Sequence, residues 1–70
     1  MNTYHITSNG GTDFGEWTAE TEAHALYLMH LEASVYGIHY DAETDTITFT
    51  DEEMADIAGN VEDWVIEEIS

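Results

Sequence analysis

The 70-residue sequence predicts an acidic α+β domain, a small antiparallel β-sheet with helices packed on one face in the order ββαββα. Two pairs of short segments alternate apolar and polar residues around turn-forming residues, which is typical of β-hairpins. Each pair precedes a segment whose apolar residues have helical spacing. Hydrophobic residues make up 43% of the chain and aromatic residues 11%, which favours a folded core over disorder. The length predicts a single domain over residues 1–70.

The first predicted unit is a hairpin followed by a helix. Apolar and polar residues alternate from Tyr4 to Thr7, Asn9-Gly10-Gly11 tolerates positive φ, and a second strand is predicted from Phe14 to Ala19. Thr21 is a suitable N-cap for the helix, which we expect to end at Gly37. Its apolar side is broad and contains Ala23, Ala25, Leu26, Leu28, Met29, Leu31 and Val35.

The second predicted unit repeats this order, beginning with another hairpin. Ile38 and Tyr40 alternate with polar residues, and a loop follows from Asp41 to Thr44. The second strand of this hairpin is predicted from Thr46 to Thr50, where threonines alternate with apolar side chains.

A second helix is predicted after this hairpin. The run Thr50-Asp51-Glu52-Glu53 has the pattern of a capping box, in which two side chains satisfy backbone N–H groups at the start of a helix. Gly59 is compatible with one continuous helix at a cost of about 1 kcal/mol, or with a break after which Asn60 caps a further helix. Trp17, in the first hairpin, and Trp64 are expected in the core. The apolar stripe of the helix continues to the C-terminus and contains Met54, Ile57, Ala58, Val61, Trp64 and Val65.

Charge is the extreme feature of the sequence. The chain contains sixteen Asp and Glu residues, no Lys and no Arg, and its formal net charge is −16. On the predicted helix, Glu52 and Asp56 form a like-charged i to i+4 pair, as do Asp63 and Glu67. Glu67 and Glu68 also lie at its C-terminal end, where the helix dipole favours cations. These arrangements reduce stability without a basic side chain to offset them, so we expect them to serve a function.

The expected partner is a basic protein surface. Sixteen charges on a body about 28 Å across match the charge density of duplex DNA, which has one charge per about 1.7 Å. The same charge argues against direct binding to nucleic acid or to a membrane, since both are anionic. The predicted helix places an outward row of carboxylates, about 22 Å long, opposite its apolar stripe: Glu52, Asp56, Asp63 and Glu67. The predicted partner-binding residues are Glu52, Asp56, Glu62, Asp63, Glu67 and Glu68, with Asp41, Glu43 and Asp45 of the loop.

Metal binding and catalysis are not expected. The acids Asp41, Glu43, Asp45 and Glu52 have the spacing of calcium ligands in an EF-hand, but Thr46 stands where that loop needs glycine to turn. No nucleophile motif or Gly-rich phosphate loop occurs, so we expect no cofactor and no small-molecule substrate. The histidines lack the i to i+4 spacing of a helical metal site and are expected to be partly exposed or, for His24, at the core edge: His5, His24, His30 and His39.

The chain resembles the small acidic inhibitors encoded by phages and mobile elements, particularly anti-CRISPR proteins that act as DNA mimics. The resemblance lies in the length, the absence of Lys and Arg, the run Thr50-Asp51-Glu52-Glu53, and the acids Glu62, Asp63, Glu67 and Glu68. It is similar to inhibitors of type I systems, including type I-C. The resemblance implies a protein, cytoplasmic in the host cell, that occupies the basic DNA-binding surface of a CRISPR effector subunit.

Two other interpretations fit the composition. An acidic interaction module, such as an antitoxin or an assembly factor, would bind one basic protein without imitating DNA, and competition with DNA would separate it from a mimic. A halophile protein would use the same charge for solubility alone and would unfold at low salt. The N-terminus lacks a basic segment, and no run of about 18 apolar residues occurs, so we expect a cytoplasmic protein.

Overall fold

The computed structural model describes residues 1–33, 37–50 and 63–69, and these residues form an α+β architecture, as the sequence predicts. In chain order the elements of this part of the chain are β1 (Asn2–Ser8), β2 (Asp13–Ala19), α1 (Glu22–Glu32), β3 (Ile38–Asp41), β4 (Thr46–Phe49) and β5 (Trp64–Glu68). The described strands form two antiparallel sheets and not the single sheet predicted: one has the strand order β2-β1-β5, and in the other β3 pairs with β4. Helix α1 contacts strands of both sheets.

The first predicted hairpin is confirmed, with longer strands than the alternating residues indicated. Tyr4 and Ile6 of β1 are buried on the face toward α1. In the turn, Gly11 has a φ of +92°, a conformation that residues with a Cβ rarely adopt. The Ser8 N–H donates to the Thr12 carbonyl at 2.8 Å, and the Thr12 N–H donates to the Ser8 hydroxyl at 3.0 Å. These two bonds close the turn next to the pair Thr7 and Asp13, and a register shift between Thr7 and His5 then places Glu16 opposite His5.

Helix α1 begins where the sequence predicts. The Thr21 hydroxyl accepts the His24 N–H at 3.2 Å and acts as the N-cap. The helix ends at Glu32, and residues 34–36, into which the prediction extended it, lie outside the described residues. Leu31 is 46% exposed, so the apolar side of the helix is narrower than predicted. Among the described residues, the core between α1 and the three-stranded sheet contains Tyr4, Ile6, Ala19, Ala25, Leu26 and Met29.

The second predicted hairpin is also confirmed. β3 and β4 pair with Ile38 opposite Phe49, and the Thr50 N–H donates to the Gly37 carbonyl at 2.8 Å beyond that pair. Ile38 is buried, and the Phe49 ring lies 6.2 Å from the ring of His30 in α1. The small sheet is therefore held against the same helix that covers the larger one.

The C-terminal segment is a strand and not the helix that the apolar stripe predicted. β5 pairs with β1 in antiparallel register, with Ile66 opposite Ile6. In β5, Trp64 and Ile66 are half-buried and Val65 between them is exposed, which is the two-residue alternation of a strand. A segment of five residues is too short for its apolar pattern alone to distinguish this alternation from the 3.6-residue period of a helix. Aromatic and β-branched residues favour a strand, and pairing satisfies the backbone groups along the edge of β1 that β2 leaves open. The structure therefore confirms the predicted order ββαββ as far as β4, and the helix predicted over residues 64–68 is wrong.

The rest of the second predicted helix lies outside the described residues. It includes the run Asp51-Glu52-Glu53 of the capping box, the apolar residues from Met54 to Val61, and Gly59. A helix in this segment and a break at Gly59 both stay predictions. Among the residues that the structure describes, no helix is long and apolar enough to cross a membrane.

Both tryptophans pack against the core from its edge. The Trp64 ring meets the rings of Phe14 and His30 edge-on, with centroids 5.2 Å and 5.3 Å away. Trp17 is half-buried, and its indole N–H donates to the Phe14 carbonyl at 2.9 Å. His30 is only 3% exposed, which corrects the expectation of a partly exposed side chain. Its Nδ1 donates to the Leu26 carbonyl at 2.8 Å, so burial leaves this ring nitrogen satisfied.

Candidate protein-binding face

The described carboxylates all lie at the protein surface. A buried carboxylate in this chain would have no Lys or Arg to neutralise it, and burial of an unpaired charge is costly. Exposure keeps each of these acids in water. The negative charge of this part of the chain is therefore accessible to a partner. The eleven exposed side chains are Asp13, Glu16, Glu20, Glu22, Glu32, Asp41, Glu43, Asp45, Asp63, Glu67 and Glu68.

One face of the three-stranded sheet points away from α1, and we call it the outer sheet face. The strand register places His5 of β1 opposite Glu16 of β2 and opposite Glu67 of β5. Since neighbouring strands lie about 4.8 Å apart, the Cα atoms of the two glutamates are about 10 Å apart with the histidine between them. The outer sheet face consists of Thr3, His5, Thr7, Asp13, Glu16, Thr18, Val65 and Glu67.

A hydrogen-bonded pair of opposite charge sits within this face. The Nε2 atom of His5 lies 2.7 Å from Oδ1 of Asp13, and that oxygen also accepts the Gly15 N–H at 2.8 Å. The bond to Asp13 raises the pKa of His5, as does the charge of the same carboxylate, with smaller contributions from Glu16 and Glu67. The Gly15 N–H is the main cause of a lowered pKa at Asp13, followed by His5. Protonation of His5 thus reduces the negative charge of the outer sheet face.

Of the acids predicted to form a helical row, the structure describes Asp63 and Glu67. Glu67 lies on the outer sheet face, whereas Glu68 points to the opposite side of β5 and pairs in register with Tyr4. Asp63 is exposed just before β5. A row through Asp63 and Glu67 at i to i+4 spacing is therefore wrong, because residues 64–68 are extended. Three further predicted residues, Glu52, Asp56 and Glu62, lie outside the described residues.

Two of the three predicted loop acids hold the turn between β3 and β4. Asp41 Oδ1 accepts the Glu43 N–H at 2.9 Å. Asp45 Oδ1 accepts the hydroxyls of Thr21 and Tyr40, both at 2.6 Å. The Thr21 bond first and the Tyr40 bond second lower the pKa of Asp45, while the bond to Asp45 raises the pKa of Tyr40. Asp45 therefore stays ionised at neutral pH. Both aspartates order the loop, whereas Glu43 is simply exposed.

Sequence reasoning missed the acids of the first hairpin. Asp13 and Glu16 were not among the predicted partner-binding residues, and the pairing of Glu16 with His5 depends on a register shift between His5 and Thr7. The position of Glu67 beside them depends on β5, which the sequence did not predict. Within the described ranges, no three His, Cys, Asp or Glu side chains are grouped so that they could hold a metal ion.

Comparison with known proteins identifies no relative. No protein-family model, curated protein or solved structure matches the chain. The function proposed below therefore rests on the arrangement of the charged, aromatic and apolar side chains of this protein.

Proposed function

We propose that this protein is an anti-CRISPR-type inhibitor that acts as a DNA mimic and occupies the basic nucleic-acid-binding surface of a CRISPR effector or another DNA-binding protein. The observation that carries the proposal is a net charge of −16 without any Lys or Arg, with every described carboxylate exposed. A surface that attracts phosphates through Lys and Arg attracts these carboxylates for the same electrostatic reason.

The size of the protein supports competition for a duplex-binding groove. The radius of gyration is 11.2 Å and the principal extents are 32 × 30 × 20 Å. Sixteen carboxylates equal the charge of about 27 Å of duplex DNA at one charge per about 1.7 Å. Because DNA and this protein would draw on the same cations of the partner, we expect the affinity of both to fall steeply with salt.

The outer sheet face supplies carboxylates in fixed positions. Glu16 and Glu67 lie on the two strands that flank β1, so backbone pairing sets their separation before a partner arrives. The hydroxyls of Thr3 and Thr18 lie 3.3 Å apart on the same face and add neutral polar atoms. Arg side chains bind carboxylates through paired N–H groups, so a partner surface rich in Arg suits this face.

A second candidate is an acidic interaction module that binds a basic protein without imitating DNA. The observation that favours it is apolar exposure beside the acids: Val65 is 53% exposed on the outer sheet face, and Ile69, just beyond β5, is 46% exposed. Apolar contacts at the centre of an interface are typical of protein partners, and a phosphate-binding groove has no need of them. The two candidates differ in whether DNA displaces the bound protein.

Competition with a purified type I CRISPR effector complex tests the proposal. Fluorescent duplex DNA is bound to the complex, and the protein is added at rising concentration and at several salt concentrations. A mimic displaces the DNA, and excess DNA releases the captured protein. Capture that excess DNA cannot reverse supports the acidic module. Absence of both capture and displacement contradicts mimicry towards a type I complex.

Charge-matched variants separate the outer sheet face from net charge. The double variant Glu16→Gln, Glu67→Gln and the control Glu22→Gln, Glu32→Gln each remove two exposed carboxylates, the control pair from α1. We expect the first to raise the concentration for half-displacement about tenfold and the control by less than about twofold. Equal effects in the two variants would show that net charge alone determines binding.

A further inference from the structure

A cleft of about 270 Å³ opens where the end of β2, the start of α1 and the β3–β4 turn meet. We call it the turn cleft. It lies outside the outer sheet face, and its volume is just below the range of about 300 to 1,000 Å³ that is typical of drug-sized ligands. A space of this size suits a single long side chain. Its lining includes Glu20, Thr21, His24, Tyr40 and Asp45.

Aromatic rings form one wall of the turn cleft. The rings of His24 and Tyr40 stack in parallel, with centroids 4.8 Å apart and an interplanar angle of 7°. The Tyr27 ring supports Tyr40 at 5.7 Å. Such stacking fixes the orientation of the rings, and the face of a tyrosine ring attracts a planar cation.

The acidic wall of the turn cleft contains one carboxylate that is already oriented. Thr21 and Tyr40 both donate to Oδ1 of Asp45 at 2.6 Å, and no described group donates to its Oδ2. The pKa of Asp45 is lowered mainly by the Thr21 bond, so this carboxylate is ionised at neutral pH. Glu20 adds a second, exposed carboxylate to the lining. A ligand here therefore meets two negative charges beside an aromatic surface.

We propose that the turn cleft is a socket for a guanidinium group, supplied by one Arg side chain of the basic partner. A guanidinium is planar, always charged, and able to stack on an aromatic ring while its N–H groups donate to carboxylates, a combination that an ammonium group lacks. In this arrangement one edge donates to Asp45 Oδ2 and to Glu20 while the plane lies against Tyr40. The identity of the partner rests on the proposed function, but recognition of the guanidinium does not.

Titration with an amino-acid derivative tests the socket without any macromolecular partner. The full chain, labelled with ¹⁵N, is titrated with N-acetyl-arginine amide while NMR follows the signals of His24, Tyr40 and Asp45. Two matched probes are the neutral isostere N-acetyl-citrulline amide and N-acetyl-lysine amide. We expect saturable shifts with the arginine probe, and binding about tenfold weaker or undetectable with each of the other two. Signals of Glu16 and Val65 report general attraction to the acidic surface.

Single substitutions locate the binding. Glu20→Gln removes one charge from the turn cleft, and Glu32→Gln removes one charge from the far end of α1. We expect Glu20→Gln to weaken the arginine probe several-fold, and Glu32→Gln to leave its affinity unchanged. Equal losses in both variants, equal binding of arginine and lysine probes, or no saturable shift would each overturn the socket. If the arginine probe binds but DNA is not displaced from an effector, the socket stands and the proposed mimicry fails.

Discussion

The two β-hairpins of this protein follow from the same sequence rules but are stabilised by different interactions. β1 and β2 are seven residues each, bury Tyr4 and Ile6, and gain β5 as a third strand. β3 and β4 are four residues each and, in the part of the chain that the structure describes, form a sheet of two strands. The second hairpin is tied to α1 by ring contacts and by the hydroxyls that converge on Asp45.

This difference determines how each hairpin can carry a contact region. A two-stranded hairpin is marginal by itself, so the β3–β4 sheet depends on its anchors to α1. The inner face of the first hairpin is closely packed and forms the core. The polar residues on its outer face can therefore differ without a change in the core. Each hairpin thus carries one of the two proposed contact regions, the outer sheet face on β1–β2 and the turn cleft beside β3–β4.

Core truncation is expected to have the largest effect and to be unequal between the hairpins. Ile6→Ala removes a fully buried side chain and is expected to cost about 2 to 5 kcal/mol, against a total stability of roughly 3.5 to 10 kcal/mol for a chain of this length. The control Ile47→Ala truncates a half-buried residue of β4 and is expected to cost less. Urea unfolding followed by tryptophan fluorescence measures both. Equal losses would show that the second hairpin is as central to the core as the first.

Removing the anchor of the second hairpin is expected to have an intermediate effect. Thr21→Ala deletes the N-cap of α1 together with one of the two donors to Asp45, and the cap alone is worth about 1 kcal/mol. Amide hydrogen exchange is expected to accelerate in β3 and β4 and to change little in β1 and β2. Thr21→Ser retains the hydroxyl and serves as the control. Uniform acceleration through both hairpins would contradict separate anchoring.

The sequence predicted the elements that depend on neighbouring residues but not the strand that depends on a distant one. Both hairpins and the Thr21 N-cap follow from neighbouring residues, and the structure confirms them. The strand at Trp64 to Glu68 depends on pairing with β1, about sixty residues earlier, and its short run of apolar residues fits a helix as well as a strand. Local pattern could not decide between them because the open edge of β1 is a property of the assembled sheet.

For the same reason, the sequence predicted that the candidate site is negatively charged but not which residues form it. Net charge is a sum over the sequence, so an acidic surface could be predicted directly from composition. The grouping of Asp13, Glu16 and Glu67 around His5 requires three strands in register, and only one of the two pairings is local. For Asp45, the sequence showed an acid in a loop but not the two hydroxyls from different elements that orient it.

A pH comparison is expected to give the smallest effect and to distinguish the two hairpins most cleanly. The pKa of His5 is raised above its ordinary 6.5, so its stabilising contribution is complete below about pH 6.5 and is lost as pH rises through the folded pKa. The pKa of Asp13 is lowered from 3.8, so its contribution is present above about pH 3.8 and is lost as pH falls through the folded pKa. The pair therefore stabilises β1–β2 most between about pH 4 and 6.5.

The urea midpoints of the wild type and of His5→Gln are measured between pH 5 and 8. The difference between them at each pH cancels the effect of acids that titrate in both proteins. We expect the difference to be largest near pH 5.5 and to decline towards pH 8, while Asp13→Asn returns the NMR-measured pKa of His5 towards 6.5. The matched variant in the other hairpin is Tyr40→Phe. Its difference from wild type should stay constant over this range, because the pKa of Asp45 lies below 3.8 and that of Tyr40 above 10. A His5→Gln difference that is equally flat would show that His5 titrates alike in the folded and unfolded protein, and it would contradict a stabilising ion pair with Asp13.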